Sequence, residues 1–337
     1  MKTMCVDLWA GQVRGSRENF GTRIERVPVG LRHRGLRELF VGAYATFADP
    51  CRAVDEPGLA LVAVDEVTGR ATGLARVRAR VDRHVTAIVG RHDACDLFLD
   101  AHASLALRHL AVIVDPVTSW RRGDASVRYR ILDLRTTDGF VDEHGRTLRG
   151  LRCEGPALVR CAGYAVFLLP LGDPTDWPAS ADDAWAFLPE RVYFDEKVGI
   201  AVGTSPRVQL ARPDRRATLI RTTGPRDHTG VIERGDLAGT LEVIGPAVSR
   251  TLRVGHAALA DGILLGRYAR CDGTAMDDDN NVSRVHALLI QLADTLMAFD
   301  LASSNGTSEP GQPPGRVFSV RSGTELQLGD ATLVRWR

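Results

Sequence analysis

Gly266-Arg267, Ser283-Arg284-Val285-His286 and Ser303-Ser304-Asn305-Gly306-Thr307 carry a chemically coherent set of side chains. The Arg267 guanidinium is a planar fork whose paired donors match two oxygens of a phosphate. Ser283 and Ser304 add hydroxyl donors. Asn305 has both a carbonyl and an amide, so it can pair with the main chain of an extended peptide as a strand edge does. Gly306 follows it, and Asn-Gly is a strong turn signal that holds Asn305 outward. His286 sits between Val285 and Ala287, a setting that suits a histidine tying loops together from inside rather than meeting ligand. If these loops meet, the set binds a phosphate monoester on a peptide. It has no carboxylate base and no nucleophile–base pair with which to hydrolyse one. Taken alone, Arg267 reads as a surface ion-pair partner, and Ser283 and Asn305 as ordinary turn residues.

Short strands rich in Val, Leu and Ile are available to position such loops. They read as 59–64, 87–90, 109–114, 129–134 and 164–171, then 240–244, 262–267, 287–290 and 331–336, separated by Gly, Pro and Asp turns. Helical spacing is confined to Leu36, Leu39, Phe40, Ala43, Tyr44 and Phe47. The pattern predicts an all-β chain built of sandwiches. An internal repeat sharpens this. Val89-Gly-Arg91, Arg108-His109 and Asp133-Leu-Arg-Thr-Thr-Asp-Gly139 precede Leu265-Gly-Arg267, Ser283-Arg-Val-His286 and Asp300-Leu-Ala-Ser-Ser-Asn-Gly306. Arginine and histidine are 18 and 19 residues apart in the two copies, and histidine and glycine 30 and 20. The surplus of the first copy falls in the polar stretch Pro116 to Arg128, as a loop insertion would.

Composition narrows the function classes. The 337 residues suit about two domains. A net charge of +1 argues against whole-surface attraction to nucleic acid or an anionic membrane. Of 43 basic residues only Lys2 and Lys197 are lysines, which reads mainly as the codon bias of a high-GC, bacterial genome. Arg207, Arg212, Arg215, Arg216, Arg221 and Arg226 cluster, but without the interleaved aromatics that stack bases. The six cysteines form no C-x-x-C pair and read as free thiols of a reducing cytoplasm. No apolar run of membrane-spanning length occurs, and the N-terminus lacks a secretory signal pattern, so a cytoplasmic location is expected. Asp277, Asp279 and Asn281 mimic a calcium loop, but Val282 and Leu288 stand where glycine and glutamate are needed. The acidic run Asp277 to Asp279 is read as a solvated loop. His84, His92, His102, His109 and Cys95 have no recognisable ligand spacing. No nucleotide-binding, nucleophile-elbow or kinase signature is present, so no enzyme and no cofactor are expected.

In order and spacing, Leu264-Leu-Gly-Arg267, Ser283-Arg-Val-His286, Asp300-Leu-x-Ser-Ser-Asn305-Gly-Thr307 and Leu328-Gly-Asp330 resemble the forkhead-associated (FHA) domain family. The resemblance implies a two-sheet, eleven-stranded β-sandwich whose loops read phosphothreonine in a partner protein. It also implies that Arg267, Ser283 and Ser304 hold the phosphate and that Arg284 and Asn305 contact phosphate or peptide backbone. Gly266, His286 and Gly306 would shape the loops. The first copy resembles the same family but is degenerate. It keeps Arg91 and His109 and has Thr137 at the Ser304 position, yet Ala106 and Leu107 replace Ser283 and Arg284. Asp138 replaces Asn305, and its carboxylate opposes a phosphate of about −1.5 to −2 charges.

The expected layout is an N-terminal extension (1–57), a degenerate FHA-like domain (58–172), a partly ordered connector (173–237) and an FHA domain (238–337). The implied function is a phosphothreonine-peptide-binding signalling adaptor. Its partner would be a threonine-phosphorylated protein, a Ser/Thr kinase or its substrate, with no nucleic acid and no membrane involved. A phosphate-independent scaffold is the alternative.

Overall fold

The apolar spacing that starts at Leu36 forms a helix, Leu36–Arg52 (α1), in a computed structural model. The structure describes residues 34–117, 127–195, 200–204, 217–223, 232–247, 249–272, 276 and 279–337. One stripe of α1 (Leu39, Phe40, Ala43, Tyr44, Phe47, Ala48 and Cys51) is buried against a six-stranded sheet, where it meets Val62, Leu158 and Phe167. A short helix, Ala181–Phe187 (α2), is capped by Ser180, whose hydroxyl accepts from the Asp183 N–H, and joins the same apolar cluster. With α1 covering its outer face, the strand Gly58–Asp65 is buried along its whole length. That is why it reads as a continuous apolar run rather than an alternating one.

The described chain is mostly strand, in four sheets. Eleven strands lie between Gly58 and Leu171, and nine described strands follow from Leu237. In the N-terminal sandwich the six-stranded sheet packs on an eight-stranded one through Leu61, Val112, Tyr129, Ile131 and Val166. In the C-terminal sandwich a five-stranded sheet packs on a four-stranded one through Val243, Leu289, Ala298, Leu328 and Val334. Each fully buried Val, Leu or Ile contributes about 1.5–3 kcal/mol.

The two sandwiches share a further core. Along Leu110–Val114, Leu110, Val112 and Val114 face the N-terminal core, while Ala111 and Ile113 face the other way. Along Ala287–Leu292, Ala287 and Leu289 face the C-terminal core, and Leu288, Ile290 and Leu292 face Ala111, Ile113, Leu132 and Leu134. Inner sheet therefore meets inner sheet, and both faces of these strands are dry. Two ion pairs flank the contact. Arg316 grips Asp96 with Nη1 and Nη2 each 2.7 Å from a carboxylate oxygen. Arg135 pairs with the buried Asp272.

Part of the expected connector belongs to the N-terminal sheet. Thr218–Thr222 pairs antiparallel with Gly150–Glu154, Arg191–Asp195 lies parallel to Thr218–Thr222, and Ile200–Thr204 closes the edge. Arg191 and Glu143 form a buried two-pronged pair, and the Tyr193 hydroxyl donates to the same carboxylate at 2.9 Å. Of the clustered arginines, Arg221 is exposed on Thr218–Thr222; Arg207, Arg212, Arg215, Arg216 and Arg226 lie outside the described residues. Cys51, Cys95, Cys153, Cys161 and Cys271 are free and buried; Cys5 lies outside the described residues. No helix among the described residues is long and apolar enough to cross a membrane.

Candidate functional site

Three loops at the end of the C-terminal sandwich are stitched together by main-chain hydrogen bonds. Arg267 N–H donates to Ser283 O (3.2 Å), Tyr268 N–H to Arg284 O (3.0 Å) and Leu301 N–H to His286 O (2.9 Å). Gly266 makes this approach possible, because a Cβ there would lie 2.5 Å from the Arg284 carbonyl oxygen. His286 is the hub and is fully buried. Its Nδ1 accepts from the Ser283 N–H at 3.0 Å, so its Nε2 carries the hydrogen and donates to Gly306 O at 3.0 Å. Burial lowers its pKa, against the pull of Asp300, whose carboxylate is 3.8 Å away. Asp300 in turn accepts from Ser303 N–H (2.9 Å) and Thr307 Oγ1 (2.8 Å), which folds the 300–307 loop. Within that loop Ala302 has φ +56° and Gly306 φ +78°.

The loops present the side chains singled out by sequence. Ser283 is nearly buried, and its Oγ accepts from the Ser304 N–H at 2.9 Å, which leaves the hydroxyl hydrogen to donate. Asn305 Nδ2 donates to Asn281 O at 2.9 Å. Arg284, Ser304 and Asn305 are exposed. Arg267 Nε is buried without a hydrogen-bond partner among the described residues. All five residues line one cavity of about 160 Å³. Its described lining holds arginines, hydroxyls and amides but no carboxylate, a surface suited to an anion. A separate cavity of about 250 Å³ also contains arginines, but there Arg135, Arg149 and Arg234 are matched to Asp272, Asp133 and Asp261.

Sequence reasoning missed part of the lining. Asn280 and Asn281 come from the loop before Ser283, and His92, Leu107 and Arg108 come from the N-terminal sandwich. The asparagines follow directly on a loop already flagged for its acids. The other three depend on how the sandwiches pack. The acidic loop also differs from expectation. Asp279 is buried, accepting from the Asn281 N–H and from Thr332 Oγ1, because those donors replace water; Asp277 lies outside the described residues.

Residues 263–329 match the family model of the FHA domain. Residues 263–329 carry an FHA domain. Solved structures resemble part of this chain. The Slr1951 protein from Synechocystis sp. is 23% identical, covering 29% of this chain and 95% of that one, with a TM-score of 0.25. The FHA domain of the CT664 protein from Chlamydia trachomatis is 20% identical, covering 29% and 93%, with a TM-score of 0.25. Rv1747 FHA-1 from Mycobacterium tuberculosis is 22% identical, covering 29% and 96%, with a TM-score of 0.24. No curated protein matches this chain.

The N-terminal sandwich repeats the hydrogen bonds of the FHA domain around different side chains. Arg91 N–H donates to Ala106 O, His92 N–H to Leu107 O and Leu134 N–H to His109 O. His109 Nδ1 accepts from Ala106 N–H (3.2 Å), and its Nε2 donates to Gly139 O (3.1 Å). Burial lowers its pKa as it does that of His286. Arg91 Nε, however, donates to Leu105 O at 2.7 Å. Thr137 and Asp138 are exposed, and Arg149 holds the Thr136 and Thr137 carbonyls. The framework is kept, while Ala106, Leu107 and Asp138 stand where the C-terminal copy has Ser283, Arg284 and Asn305.

Proposed function

We propose that the FHA domain binds phosphothreonine peptides and that the chain acts as a signalling adaptor for a threonine-phosphorylated partner, a Ser/Thr kinase or its substrate. FHA homologues are phosphothreonine-dependent interaction modules rather than enzymes. The observation that carries the reading is the buried Arg267 Nε, unpartnered among the described residues, in a cavity whose described lining holds no carboxylate and which it shares with Ser283, Arg284, Ser304 and Asn305. A buried guanidinium donor without a partner is costly, and a phosphate oxygen removes that cost. Each charge-assisted hydrogen bond to the phosphate contributes about 1.5–3 kcal/mol. Gly266, His286 and Gly306 hold the loops in register for it. For the N-terminal domain a phosphate-independent scaffolding role is favoured by Ala106, Leu107, Asp138 and the engagement of Arg91 Nε by Leu105 O. We place the chain in a bacterial cytoplasm, where thiols stay reduced. The test is retention of a peptide library carrying one fixed phosphothreonine, by the full chain and by Arg267→Ala. Loss on substitution supports the reading; equal retention of unphosphorylated peptides sinks it.

A further inference from the structure

The FHA cavity does not belong to the FHA domain alone. We infer that the N-terminal domain supplies one wall of the peptide site, with Arg108 positioning the phosphate loop and His92 and Leu107 meeting the peptide. The inference rests on the phosphothreonine reading and adds to it a second domain that sets affinity and peptide preference.

Arg108 is the first reason. It is an N-terminal-domain residue, only 4% exposed, and its guanidinium crosses the boundary. Nε donates to Leu301 O at 2.6 Å and to Ala302 O at 3.0 Å, and Nη2 donates to Ala302 O as well. Those carbonyls lie just before Ser304 and Asn305, in the turn where Ala302 takes a left-handed backbone. Hydrogen bonds fix the turn's position, and a buried positive charge beside the cavity favours an anion. At the equivalent place, two residues after Ser283, the FHA domain has Val285, an apolar member of the shared core. The arginine is therefore particular to the N-terminal copy.

His92 and Leu107 are the second reason. Both are half-buried, both line the cavity, and the His92 N–H to Leu107 O bond (3.0 Å) holds them side by side. His92 Nδ1 lies 3.1 Å from the Ala94 nitrogen and 3.0 Å from Asp93 Oδ1, which leaves Nε2 for a ligand. Together they offer one apolar and one polar contact to residues beside the phosphothreonine. The approach is held on both sides by the Arg316–Asp96 and Arg135–Asp272 pairs and by the apolar core between the sheets. A domain whose own anion site is dismantled thus completes its neighbour's.

The test uses the full chain, a degenerate peptide library with one fixed phosphothreonine, and its unphosphorylated twin. His92→Glu and Leu107→Glu place a carboxylate at the cavity wall and should weaken retention about tenfold or more, since like charges brought together at an interface are strongly disfavoured. Val67→Glu, the same charge change at an exposed turn of the same domain, should leave retention unchanged. Arg108→Met should also weaken it, with Arg108→Lys between the two, and His92→Glu should shift the residues selected beside the phosphothreonine. Thermal melts check that each variant is folded, and the half-buried His92 and Leu107 sites keep the test decisive if Arg108→Met unfolds. If Arg267→Ala abolishes retention while His92→Glu and Leu107→Glu bind and select as wild type, the two-domain site is overturned and the FHA reading stands. If wild type retains no phosphopeptide, both fall.

Discussion

Arg316 of the FHA domain and Asp96 of the N-terminal domain form a two-pronged ion pair across the boundary, both contacts at 2.7 Å. Its geometry is good, but the pair is partly solvated, with Arg316 44% exposed. The Arg135–Asp272 pair does the same job in a dry setting, where Asp272 is 2% exposed and also accepts from the Leu264 N–H. Arg316→Ala should therefore cost no more than about 1 kcal/mol. Arg135→Ala should cost about 3–5 kcal/mol, because it leaves a buried carboxylate without its cation. Denaturant unfolding of both variants checks the ranking, and equal costs would contradict it.

Stability should fall as the solution is acidified from pH 7 to 5. His84, His109 and His286 all have pKa values lowered, in each case chiefly by burial. Their folded forms refuse a proton that the unfolded chain takes up below about pH 6.5. The stabilisation is complete above that value and is lost as pH drops toward the folded pKa values. Protonating His286 Nδ1 also turns the acceptor of the Ser283 N–H into a donor. A urea midpoint that stays level across this range would contradict the assignment.

Gly266→Ala should damage binding through the backbone. Its Cβ would sit 2.5 Å from Arg284 O, so the segment carrying Ser283 and Arg284 must move away from Arg267. An overpacking cost of about 1–3 kcal/mol is expected, with phosphopeptide retention lost in the folded protein. A variant that melts as wild type and still binds would show that the loop has slack.

One phosphopeptide should bind per chain. The N-terminal copy lacks the serine and asparagine positions, having Ala106 and Asp138, and its Arg91 is already bonded to Leu105 O. Titration to a stoichiometry of two, or a second site surviving in Arg267→Ala, would contradict this.

Local pattern made much of the molecule legible. Leu39, Phe40, Ala43, Tyr44 and Phe47 mark α1 by their spacing, and Tyr164–Leu171 and Leu110–Val114 mark strands by uninterrupted apolar runs. Such runs say that both faces are covered but not by what. The covering of Ala111 and Ile113 by Leu288 and Ile290 is a long-range choice that periodicity does not encode. The same holds for Arg191–Asp195, whose parallel neighbour Thr218–Thr222 is distant in sequence. At the site, residue type and order picked out Arg267, Ser283, Arg284, Ser304 and Asn305, all of which line the cavity. Arg108 read only as the neighbour of a repeated histidine, because its partners, Leu301 O and Ala302 O, are main-chain atoms of another domain.

The central claim turns on Arg267. Calorimetric titration of the full chain with a phosphothreonine peptide taken from the library screen should give saturable binding. The unphosphorylated peptide should give none, and Arg267→Ala should bind at least about tenfold more weakly, as expected when a charged hydrogen-bond donor to phosphate is removed. Binding that persists undiminished in Arg267→Ala, or that ignores the phosphate, would contradict the account.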